Sequence, residues 1–172
     1  MKKNKKELIL FIIVTALAVL INGYIIMHSC FNASMSSSSS GRVVNLLKAI
    51  INVFHKDTIN ENNIGTFSHI VRKLIGHFGL FAVSGLFTTW FLYLLLKKHP
   101  LFRVDAFPFA TLFIGLFLAS LTEFIQLFVP GRSGESKDVL IDFLGYCLGF
   151  LIIFIIVLII RRKNHRSVAK YK

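Results

Sequence analysis

A chain of 172 residues that is 55% hydrophobic and only 16% charged is not built for water, where domains carry about 25% charged residues. Its net charge of +12 would suit nucleic acid, but the basic residues flank apolar runs as membrane anchors do, so no nucleic-acid partner is expected. Two cysteines, Cys30 and Cys147, exclude a disulfide framework and a zinc site of familiar spacing.

The Lys-rich start (Lys2, Lys3, Lys5, Lys6) leads into an apolar run from Leu8 to Met27. At about 1.5 Å per residue this run covers about 30 Å, one crossing of the hydrocarbon. It exceeds the roughly 7–15 residues of a signal-peptide core, so an uncleaved first helix is expected. Residues 36–41 read as a flexible serine linker. From Arg42 to His55, Val43, Leu47, Ile50, Ile51 and Phe54 recur at helical spacing, with Asn45, Lys48, Asn52 and Lys56 opposite. That pattern predicts an amphipathic helix, lying in the interface plane or packed as a lid on the bundle. Residues 57–65 read as a polar loop. Three further spans are predicted, from Leu74 to Leu96, Phe109 to Val129 and Val139 to Ile160. Basic clusters close the first and last of these, and Pro130-Gly131 stops the middle one. Trp90 and Tyr93 read as an aromatic belt.

The fold class is therefore all-α, an integral membrane bundle of four transmembrane helices with an external amphipathic helix between spans one and two. Residues 1–27 are the tail and first helix, 28–73 the external linker and amphipathic segment, 74–160 a three-helix region, and 161–172 a basic tail. Thirteen of the 20 Lys and Arg residues fall in the two tails and the loop after span two. By the positive-inside rule both termini are cytoplasmic.

Ionisable groups cost about 2.5–3.5 kcal/mol each at the centre of a span and are functional candidates by default. Lys73 and His77 open span two, Glu123 and Gln126 close span three, and Asp138 and Asp142 open span four. All three positions lie on one membrane face, and each pair shares one side of its helix. On span four the stripe continues through Gly145 and Gly149, a seam of small residues suited to close packing. Glu123 needs a cationic or hydrogen-bonding partner, or a proton; Lys73, His77 and Arg132 are the available partners.

Three readings remain open: a structural ion-pair network in which Ser136 and Asp138 also cap span four, an outward binding or catalytic pocket, and an ion pathway. The apolar inner half of spans three and four weakens the last. Ser133 and Ser136 are the nearest nucleophiles and sit in no nucleophile motif, so catalysis stays open. His77, Glu123, Asp138 and Asp142 are legitimate metal ligands, but no local spacing joins them, and neither a metal nor a cofactor is expected.

The series Glu123, Gln126, Phe128, Pro130, Arg132, then Asp138, Asp142, Gly145 and Gly149, resembles the VanZ-like membrane proteins. Their pattern is approximately E-x-x-Q-x-F-x-P-x-R followed by D-x-x-x-N-x-x-G-x-x-x-G. Lys73 and His77 resemble the family's K-x-x-x-H segment, so the likeness covers about residues 70–155. Asp142 departs from a common Asn, and Phe81 from a common Tyr. The resemblance implies a Gram-positive cell-envelope protein, the founding member being linked to teicoplanin resistance. Together with the polar face, it leads to an expected role in resistance to lipidated glycopeptide antibiotics through an external pocket. The alternatives are a membrane enzyme acting on a lipid or cell-wall headgroup, and a non-catalytic scaffold or transporter-type protein. Expected partners are the lipid bilayer and a lipidated glycopeptide or anionic envelope ligand.

Overall fold

The computed structural model describes residues 5–97 and 106–169. Most of the cationic loop after span two and the end of the basic tail lie outside these residues. The chain runs through α1 (Lys5–Ser29), α2 (Ala33–Phe54), α3 (Ile64–Val71), a π-helix (Arg72–Gly79), α4 (Leu80–Leu96), α5 (Ala106–Gln126) and α6 (Ser136–Ala169). Four helical stretches are long and apolar enough to cross a membrane: Lys5–Ser29, Ile64–Leu96, Phe107–Gln126 and Ser136–Arg162. The helix α2 does not span, and the bundle is the four-helix membrane fold that the hydropathy pattern predicts.

Burial explains why lipid is the solvent. Val19, Leu20 and Phe113 are 65–71% exposed, whereas Ser84, Thr89 and Thr111 are fully buried. Apolar side chains face outward and small hydroxyls face the helix seams, the usual arrangement where helices cannot gain by hiding carbon from water. The first span belongs to this bundle. Asn22 of α1 donates to Thr88 Oγ1 at 2.9 Å and accepts from Ser84 Oγ at 2.7 Å, tying α1 to α4 in mid-span. Its donation to the Ala18 carbonyl completes the amide.

The tightest seam joins α6 to α4 and the π-helix. A Cβ on Gly145 would overlap the Phe78 carbonyl oxygen, and one on Gly149 would overlap Ala82 O and Leu86 N. Across the seam, a Cβ on Gly85 would strike the Tyr146 carbonyl. Backbones in contact leave no side chain free to yield. Tyr146, fully buried, fills the space between this seam and Gly115 of α5.

Two expectations are corrected. Residues 36–41 are not a flexible linker, since α2 is continuous from Ala33 to Phe54. Asn32 caps its start by accepting from the Met35 backbone N–H at 2.9 Å, and Ser40 bonds back to the Ser36 carbonyl at 3.0 Å. Serine is only a middling helix former, so local capping and the burial of Ser36 against the bundle override its propensity. The second correction concerns span two, whose helix begins at Ile64 and not at Leu74, its first turns packing against α2. The loop before it is held by Asn52, which bonds both N–H and C=O of Ile59 at 3.0 Å.

The predicted apolar face of α2 is shared between two environments. Leu47 and Ile51 are half-buried and Val44 is buried, while Val43, Ile50, Val53 and Phe54 are exposed. The start of the helix packs on the bundle and its far half presents carbon outward.

Candidate functional site

The polar residues converge because three helix ends meet on one face. Lys73 and His77 lie on the π-helix, whose i→i+5 bonding widens the turn and brings residues four apart nearly into line. They face the i, i+4 pair Asp138 and Asp142 on α6, giving a two-rung ladder. Lys73 Nζ pairs with Asp138 Oδ1, and His77 Nδ1 lies 3.0 Å from Asp142 Oδ1. The glycine seam continues one and two turns below this ladder and sets the spacing that lets the rungs meet. Asp138, expected to help cap span four, uses its carboxylate here, facing His77 Nε2 at 3.8 Å as well. The helix begins at Ser136, with the backbone of Glu135 accepting from Asp138 and Val139.

Glu123 and Gln126 form the second half. Gln126 Nε2 donates to Glu123 Oε1 at 2.9 Å, and the Glu135 backbone N–H donates to Glu123 Oε2 at 3.0 Å. The predicted need of Glu123 for a partner is thus met by neutral donors and not by Lys73, His77 or Arg132. Arg132 instead forks onto Gln126 Oε1 through Nε (3.2 Å) and Nη2 (2.5 Å), while Nη1 donates to Ser36 Oγ at 3.0 Å. Gly131, at φ 73°, supplies the left-handed turn that swings Arg132 inward, and Pro130 O accepts from Ala33 N at 3.4 Å. The α5–α6 loop and the start of α2 are therefore stitched together over the site.

The structure brings all seven candidates into one cluster, in which His77, Glu123, Gln126, Asp138 and Asp142 are buried. Beneath α2 lies a cavity of about 180 Å³, walled by Ile25, Val43, Ile75 and Phe81. Arg132, Arg72, His28, His77 and Asp142 also line it, as do Ser36, Ser39 and Ser40 of α2. Sequence reasoning missed Ser36, Arg72 and His28. The serines looked like a linker, and neither Arg72 nor His28 belongs to a spaced polar pair.

The electrostatics are uneven. Lys73 is neutralised by Asp138, with Glu135 at 3.6 Å. Among the described residues, no carboxylate makes an ion pair with Arg132, and the Arg72 side chain has neither an ion pair nor a hydrogen bond. Burial, and then the nearby Arg72, pull the Arg132 guanidinium below its ordinary range. A guanidinium nonetheless stays protonated in proteins. One end of the cavity therefore carries Arg132 and Arg72 beside Asp142, with Glu123 and Asp138 near enough to act on Arg132 through space.

Neither a curated protein nor a solved structure matches the chain. The profile of the VanZ/LLP1 family does match, over residues 10–158, from the first span into the last, and the chain belongs to that family.

Proposed function

We propose that this protein binds an anionic amphiphile at the outer face of a Gram-positive cell membrane and thereby lowers sensitivity to lipidated glycopeptides of the teicoplanin kind. The observation that carries the reading is the cavity: apolar walls for a chain, and at its polar end a half-buried guanidinium that makes no ion pair among the described residues. Charge-assisted bonds to an acidic headgroup suit such a fork. The exposed Ile50, Val53 and Phe54 on the far half of α2 suit contact with lipid, where an acyl chain partitions. Binding is favoured over covalent catalysis because neither Ser133 nor Ser136 makes a side-chain hydrogen bond to a base among the described residues. The likeness to VanZ-like proteins supplies the process, and the cavity supplies the chemistry.

The test is the inhibitory concentration of teicoplanin and of vancomycin in a susceptible Gram-positive host, with and without the protein. Teicoplanin carries an acyl chain and vancomycin does not, so a membrane-surface mechanism raises tolerance to teicoplanin more. Equal shifts would point to altered cell-wall precursors, and no shift at matched expression would sink the reading.

The orientation belongs to the same proposal: cytoplasmic termini and an external α2, from the Lys/Arg asymmetry. Cys30, exposed between α1 and α2, is a ready probe. In intact cells carrying Cys147→Ala, an impermeant thiol reagent is expected to label Cys30. Labelling of a cysteine introduced between residues 97 and 108 under the same conditions would reverse the orientation.

A further inference from the structure

His77, Glu123 and Asp142 come from the π-helix, α5 and α6, and one ligand atom from each lies within 4.8 Å of the other two. All three are buried, at 8%, 4% and 1% exposure. With ligands about 2.0–2.2 Å from an ion, such atoms stand about 3–4 Å apart, so small side-chain rotations close the set. His77 Nδ1 and Asp142 Oδ1, at 3.0 Å, already have that separation.

Charge makes the same demand. Three buried carboxylates, Glu123, Asp138 and Asp142, crowd this end of the bundle, and Lys73 is taken by Asp138. Glu123 and Asp142 make no ion pair with a lysine or arginine among the described residues, and their combined charge is that of one divalent ion. Buried carboxylates left so are expensive unless paired or coordinated to metal. Outer partners lie close by. Asp138, anchored by Lys73, has Oδ2 3.8 Å from His77 Nε2, longer than a hydrogen bond, so a slight shift of the ring is needed to hold it with Nδ1 inward. The Glu135 N–H and Gln126 Nε2 orient Glu123.

We propose that His77, Glu123 and Asp142 form a site for one divalent metal ion of the Zn²⁺ or Mn²⁺ kind, with its remaining coordination positions open to the cavity. One imidazole nitrogen with two carboxylate oxygens suits these ions better than soft-ligand metals. His77 and Asp142 both line the cavity, so a bound ion is reachable from it. Three protein ligands leave a fourth position for water or an incoming oxygen. The site does not depend on the amphiphile reading, because it is assembled from the protein alone.

The experiment uses the full chain, purified in detergent with a histidine-free tag and stripped with chelator. Zn²⁺ and Mn²⁺ are added back, and bound metal is measured by mass spectrometry and competition, with Co²⁺ replacing Zn²⁺ for visible spectroscopy. One ion per chain is expected, held at least tenfold more weakly by Glu123→Gln and by Asp142→Asn, and unchanged by His55→Ala in the outer loop. A wild-type chain that retains no metal overturns the proposal, as does undiminished binding in both carboxylate variants. Should both variants lose the wild-type helical circular dichroism, the cobalt spectrum of the wild type decides. Ligand-field bands of a nitrogen–oxygen site uphold it, and a spectrum identical to free cobalt overturns it.

Discussion

Gly149→Ala, a single methyl group, is expected to destabilise the bundle by about 3 kcal/mol or more, at or beyond the top of the usual overpacking range. For a chain of this length that lowers the melting temperature by roughly 6–12 °C. The reason is the identity of the neighbours. The added carbon meets Ala82 O and Leu86 N, which are backbone atoms that no rotamer change removes. Gly145→Ala acts alike through the Phe78 carbonyl. The α6 helix must then stand off from α4 and the π-helix, and both rungs, Lys73–Asp138 and His77–Asp142, lengthen together. The contrast is within the same chain. Gly41 has nothing within 4 Å of its ideal Cβ and sits inside α2. Gly41→Ala should therefore gain about 0.5–1 kcal/mol from backbone entropy. Thermal denaturation of the detergent-solubilised variants, with abundance in membranes, checks both signs. A Gly149→Ala protein as stable as wild type would mean that the seam is looser than its backbone contacts require.

The spans were legible because lipid imposes a coarse requirement, about twenty apolar residues per crossing, which the hydropathy pattern meets four times. The polar pairs were legible because i, i+3 and i, i+4 spacing on three helix ends needs only topology to put them on one face. What escaped depended on tertiary contact. Ser36–Gly41 lacks any helical apolar pattern, and its helicity follows from the Asn32 cap and from Ser36 packing against Arg132. Asn22 sits alone in an apolar run, and only Thr88 and Ser84, more than sixty positions away, explain it. The partner of Glu123 was not legible, because a backbone N–H at Glu135 carries no sequence signature, whereas Lys, His and Arg side chains do. The proposed ligand trio was half legible: His77, Glu123 and Asp142 are residue types that bind metal, but they have no local spacing in common, and only the fold brings them together.

Arg132→Ala should abolish the teicoplanin shift while leaving the protein at near-normal abundance. Arg132 lies in the α5–α6 loop, half-buried, and its three hydrogen bonds go to Gln126 and Ser36, neutral groups beside a cavity. Its removal breaks no ion pair among the described residues, so the stability effect stays near the roughly 1–3 kcal/mol of a buried acceptor left unmade. The effect on an anionic ligand falls directly on function. Losing a buried charge partner costs about 2 kcal/mol or more, roughly a thirtyfold loss of affinity. Arg132→Lys should restore little, because one ammonium cannot span Gln126, Ser36 and a ligand as a planar fork does. Glu123→Gln probes the same unit from below. It is isosteric, and the Gln126 and Glu135 donors that hold Glu123 find only one acceptor oxygen in the amide. If the cluster only holds the fold, Glu123→Gln lowers thermal stability and abundance in step with function. If it is a site, abundance holds and the phenotype goes, which is the outcome expected here. The measurement pairs membrane abundance by immunoblot and melting in detergent with inhibitory concentrations for each variant. Wild-type tolerance in both Glu123→Gln and Arg132→Ala, each at normal abundance, would remove the whole cluster from the mechanism and leave the bundle as its only claim.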